Sequence, residues 1–208
     1  FYNPFAGVSE GTLVNPGTYS IDMSILKAGE TTKVADAVSF NVVALNNTVM
    51  PADDRAAKVN FRRKVSKLQA EMGEYSRKFS EINNKIPYID EAIKRVEQPI
   101  DEISKMVWDV KQAIKEVNLK FYGDNVKSRL DIQSNLTPYS RLGSVAYYQK
   151  YSTAAPTKTH MDSYEIAKDE FQPIKLMIDE LRVKMLDLEN RLKEMGAAYT
   201  PGRPKAIN

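Results

Sequence analysis

A chain of 208 residues, 42% hydrophobic and 27% charged, has the composition of a helix-rich protein with one large domain or two small ones. Its 30 basic and 27 acidic residues leave a net charge of +3, mixed along the sequence, which gives no stripe for nucleic acid. The absence of cysteine excludes disulfides, thiolate metal sites and cysteine nucleophiles within the chain, and no apolar run reaches the length of a membrane span.

Residues 1–50 read as a β segment. Pro4, Gly7, Gly11, Pro16, Gly17 and Gly29 punctuate two β-like runs. In Thr18 to Ile25 the alternation puts Tyr19, Ile21, Met23 and Ile25 on one face. In Ala37 to Leu45 it puts Val38, Phe40 and Val42 on one face. Lys27-Ala28-Gly29-Glu30 can turn the chain between them. Two strands are not stable alone in water. They must pack on helices or complete a β-sandwich-like domain whose other strands come from upstream, and a sequence that opens at Phe1 in mid-pattern favours the second expectation. Open strand edges then invite pairing with another chain.

Residues 51–200 read as an antiparallel bundle of long helices, which makes the fold mainly α. Asp53 is the expected cap of the first helix. The row Phe61, Val65, Leu68, Met72, Tyr75, Phe79, Ile82, Ile86 steps by four and three residues without a miss, which is a heptad seam. The pattern continues past Asn83-Asn84-Lys85-Ile86-Pro87, so the first helix ends either near Asn84 or, kinked, near Val96. A second helix is expected from about Pro99 to Tyr122, stopped by Gly123. Residues 126–138 look irregular, and Tyr139 to Tyr151 weakly helical. The last helix runs from about Thr159 to Gly196 with Thr157 or Thr159 as its cap. Its seam is Tyr164, Ala167, Phe171, Ile174, Ile178, Leu181, Met185, Leu188, Leu192, Met195, and it passes straight through Pro173. The two seams are expected to face each other. Residues 201–208 read as a loose tail.

The chemistry-bearing residues do not form a constellation. His160, the only histidine, sits at a helix start with no partner at motif spacing. Pairs such as Asp90-Glu91 and Asp179-Glu180 point about a third of a turn apart and do not converge as an acid/base dyad. These patterns predict a non-enzyme with no cofactor and no metal. Arg62, Arg63, Lys64 and Lys67 read as a solvated helix face, and Trp108 as packing at a seam edge. Tyr139, Tyr147, Tyr148 and Tyr151 read first as capping one end of the bundle with their hydroxyls in solvent, and they are also the candidate interaction surface, because tyrosine suits protein or sugar contacts.

Three segments together resemble a known family. Asn15-Pro16-Gly17-Thr18-Tyr19-Ser20-Ile21-Asp22-Met23 is similar to the "PGxYxVxL" strand that follows the propeller in bacterial sortilin-like (VPS10-type, BNR-repeat) proteins. The helix carrying Val65-Ser66-Lys67-Leu68 and Ile82-Asn83-Asn84-Lys85-Ile86 resembles that family's first helix after the propeller. Arg141-Leu142-Gly143-Ser144-Val145 and Ala154-Ala155-Pro156-Thr157 resemble its "KLASLYG…APT" stretch. The resemblance implies a non-catalytic C-terminal accessory module of a secreted or cell-envelope β-propeller protein, with the upstream propeller or another envelope protein as its partner. The SxDxGxTW repeats of the propeller are absent, so a glycosidase label does not carry over to these residues. Two other expectations stand beside it: a coiled-coil assembly component of a surface or secretion apparatus, and an accessory part of a glycoside hydrolase whose active site lies upstream.

Overall fold

The computed structural model describes residues 14–45, 53–96 and 100–197, apart from the side chain of Tyr151. The expected tail at 201–208, the Pro51-Ala52 helix start and Pro99 lie outside these residues. The chain is mainly helical, with two antiparallel strands ahead of long helices. In order these are β1 (Gly17–Lys27), β2 (Glu30–Val42), α1 (Arg55–Ile93), α2 (Asp101–Tyr122), α3 (Asn125–Arg129), α4 (Pro138–Tyr151) and α5 (Lys158–Glu194). They fall into two compact units. One takes the described residues up to Arg62 together with 148–156; the other takes 63–147 and the chain from Thr157 onward.

The second unit holds the seams. From Val65 to Ile89, every seam residue of α1 is buried except Tyr75 and Ile86, which are half-buried. Along α5 the row Ala167, Phe171, Ile174, Ile178, Leu181, Met185, Leu188, Leu192 is buried without a gap. Cross-helix contacts fix the direction of the two struts. Lys175 Nζ lies 2.6 Å from Glu71, Tyr75 donates to Asp179 at 3.1 Å, and Lys85 Nζ lies 2.9 Å from Glu189 Oε1. Each pair is separated by 104 residues. A constant offset means that α1 and α5 run parallel and in register. The antiparallel member is α2: Lys111 pairs with Asp90 and Tyr122 with Ser76 on α1, while Arg191 of α5 pairs with Glu102. Ile103, Val107, Val110, Val117 and Phe121 of α2 are buried, in line with the continued heptad.

Both internal prolines are tolerated for the same reason. Pro87 and Pro173 lie on exposed positions, and so do Asn83 and Asp169, one turn back. The carbonyls left without an N–H therefore have water available. This resolves the first helix boundary: α1 runs through Asn83–Pro87 and ends at Ile93. Asp54, one residue beyond the expected cap, accepts from the Ala57 N–H at 2.8 Å. Gly123 ends α2 at φ +92°, where a Cβ would press to 3.1 Å on Thr137. The irregular 126–138 stretch contains a short helix that the pattern did not show. Asp124 starts α3 by accepting from the N–H groups of Val126 and Lys127. Thr157 caps α5 by accepting from the His160 N–H.

Where α2 ends, rings gather. Phe121 stacks on Phe171 at 5.6 Å and meets Tyr139 edge-on at 5.5 Å, while Tyr75 approaches Phe171 edge-on at 5.7 Å. Phe171→Ala should cost about 3–5 kcal/mol in urea unfolding, and Leu181→Asp should abolish the cooperative transition. Glu189 is only 2% exposed; Lys85 donates to its Oε2 at 3.2 Å and its ammonium lies 2.9 Å from Oε1. Lys85→Met should therefore cost about 2–3 kcal/mol, somewhat less than a fully dry pair because the ammonium is partly wet. The double variant Lys85→Met/Glu189→Leu should recover most of that loss in the same assay.

Candidate functional site

The hairpin leaves one apolar sheet face uncovered. Ala28 and Gly29 form its two-residue turn, both at positive φ (52° and 85°), which is the twist that suits a tight hairpin. Pairing runs from Gly17 opposite Val42 to Lys27 opposite Glu30, with register shifts on either side of Met23. Strand β2 has 13 residues against 11 in β1, so the extra residues bulge from β2. The pairs Tyr19–Phe40, Ile21–Val38 and Met23–Ala35 put apolar side chains on one face, continued by Ile25. Thr18, Ser20 and Ser24 lie on the other face with Asn41, Ser39 and Lys33 as their partners, and Thr18 donates to Asn41 at 2.8 Å.

Antiparallel sheets with this alternation bury the apolar face. Here Ile21 is 63% exposed and Val38 68%, and Met23, Ile25 and Phe40 are exposed as well. At its base the hairpin is tied down. Tyr19 stacks on Phe40 and donates to the Asn15 carbonyl at 2.8 Å, and the Asn15 amide donates to the Arg55 carbonyl at 3.3 Å.

The same unit contains two buried cations, of which sequence reading placed Arg62 in solvent. Arg62 and Lys58 are each 7% exposed. Arg62 Nε donates to the Gln149 carbonyl at 2.6 Å and an Nη donates to that of Lys150 at 3.0 Å. Lys58 donates to the Ser152 carbonyl at 2.6 Å. These carbonyls lie at the C-terminal end of α4, where they lack intrahelical donors and carry the negative end of the helix dipole. The expectation of a solvated basic face is corrected for Arg62. Arg63, Lys64 and Lys67 are exposed as expected. The signal was present in the spacing, since Lys58 falls at the heptad position of Val65 and Met72. The two cations therefore cap a helix rather than await an anion.

The predicted tyrosines differ in their surroundings. Tyr139 joins the ring cluster with Phe121 and Tyr122 and is half exposed. Tyr147 and Tyr148 are exposed, and as helix neighbours they point about 100° apart; the side chain of Tyr151 lies outside the described residues. Trp108, expected at a seam edge, is 61% exposed. A furrow of about 720 Å³ between α1 and α5 is lined by Ile82, Lys85, Tyr88, Arg182, Met185 and Glu189. Its buried carboxylate is already held by Lys85. Among the described residues no three of His, Asp and Glu are placed to hold a metal ion, and no helix is long and apolar enough to cross a membrane. No family model, curated protein or solved structure matches the chain.

Burial holds Lys58 below its ordinary pKa of 10.5, with the Arg62 charge adding to the effect. The unfolded chain then binds that proton more tightly than the folded one, so stability should rise as pH increases through the window just below 10.5. Urea midpoints measured against pH should show this rise in the wild type and lose it in Lys58→Met.

Proposed function

We propose that the chain is a non-catalytic structural and protein-interaction module, in which a helical unit accompanies a hairpin that docks onto apolar partner surface. The observation that carries this reading is the exposed, uncharged row of Ile21, Met23, Ile25 and Val38 on a sheet with a polar opposite face. Side chains of this kind stabilise by about 1.5–3 kcal/mol each when fully buried, so a cover for this face gains substantially. The resemblance of residues 15–23 and of the α1 segments to sortilin-like proteins supports an accessory role beside a β-propeller, in a secreted or cell-envelope protein. The rival reading, a coiled-coil component pairing its seams between chains, has less support because the α1 and α5 seams are buried within one polypeptide.

Two measurements test the module reading. Ile21→Lys/Ile25→Lys, at submicromolar chain concentration, should leave the melting of the helical circular dichroism signal within about 0.5 kcal/mol of wild type, as for surface substitutions. A large drop would show that the face belongs to the chain's own core. A panel of glycosidase and peptidase substrates should give no turnover with the 208-residue chain, and clear turnover would contradict the reading.

A further inference from the structure

We propose that the apolar face of the β1–β2 hairpin is the dimerisation surface of this chain, closing against the same face of a second copy to form a two-layer sheet sandwich. This rests on the module reading and names the partner of that site. Three features of the face fit a second copy. First, from Tyr19 to Ile25 its residues are uncharged, with Phe40, Val38, Ala35 and Thr32 opposite them. Such a face meets its own copy without opposing like charges or burying an unpaired one. Second, four cross-strand pairs per copy make a small interface, of the size class that gives a reversible rather than an obligate dimer. Third, the strand edges are poor alternatives. The bulges and the exposed Lys33–Asp36 pair interrupt β2. Pairing β1 with a second β1 about its middle brings Asp22 opposite its own copy. Stacking through the face leaves Asp22, Ser20 and Ser39 in water.

The test uses the full 208-residue chain. Sedimentation equilibrium should show a concentration-dependent monomer–dimer equilibrium in the micromolar range. Ile21→Lys/Ile25→Lys, which sets no two lysines opposite each other, should weaken it at least tenfold, while the helical melting stays unchanged. The natural absence of cysteine allows a second readout. Ala35→Cys, near the middle of the apolar face, should be joined to its copy by a bis-maleimide reagent long enough to span the roughly 10 Å between stacked sheets, and Ser20→Cys, on the polar face, should not. A chain that stays monomeric at submillimolar concentration would overturn the proposal. So would a dimer indifferent to the lysine pair, or one cross-linked equally well through Ser20→Cys. A monomeric result with unchanged melting of the lysine variant would reject the second copy and leave the face open to another protein. A lysine variant with collapsed melting would reject the module reading itself.

Discussion

The fold of the helical unit depends on the in-register contact between the α1 and α5 seams. Apolar rows supply the drive, but they tolerate a slip of one turn, because Leu, Ile and Met can exchange places with little loss. The polar contacts fix the register. Glu189 is buried, and Lys85 holds it; a slip would leave a carboxylate in the core without a cation. Glu71–Lys175 and Tyr75–Asp179 repeat the same 104-residue offset about four and three turns away. The three contacts agree on one alignment, which is the consistency between local and global preferences that a single native state requires. Helix α2 then closes the core from the third side, running against both struts.

Much of this was legible in the sequence, and the physical reason is periodicity. A seam that steps by four and three residues can only be a helix face, so Phe61 to Ile86 and Tyr164 to Met195 identified themselves. Direction was not legible. An apolar row reads the same from either end, and only the charged partners distinguish parallel from antiparallel neighbours. Pro87 left the end of α1 open because a proline's effect depends on whether its freed carbonyl meets water or core. Helix α3 was missed because five residues carry no period, and only the Asp124 cap marks it.

The hairpin shows the same divide. Its first strand, its turn at Ala28-Gly29 and its apolar face followed from the sequence pattern, whereas the second strand, expected at 37–45, runs from Glu30 to Val42 because the bulges between Lys33 and Val38 break the alternation. Arg62 and Lys58 did not follow from composition. A basic cluster looks solvated until a helix end is placed against it, and the carbonyls of Gln149, Lys150 and Ser152 come from about ninety residues away. Among the tyrosines, Tyr139 is drawn into the ring cluster, while Tyr147 and Tyr148 stay exposed on the same helix.

Register between the struts can be read most directly with paired spin labels, since the chain has no cysteine of its own. Labels at Lys64→Cys and Lys168→Cys, both exposed and 104 residues apart, should sit at one level of the bundle and give a short inter-label distance by pulsed electron spin resonance. Labels at Lys64→Cys and Lys184→Cys should lie farther apart, by an axial displacement of about 24 Å at the helical rise per residue. If the second pair proves the closer one, α1 and α5 do not run in parallel register and the account of this fold is wrong.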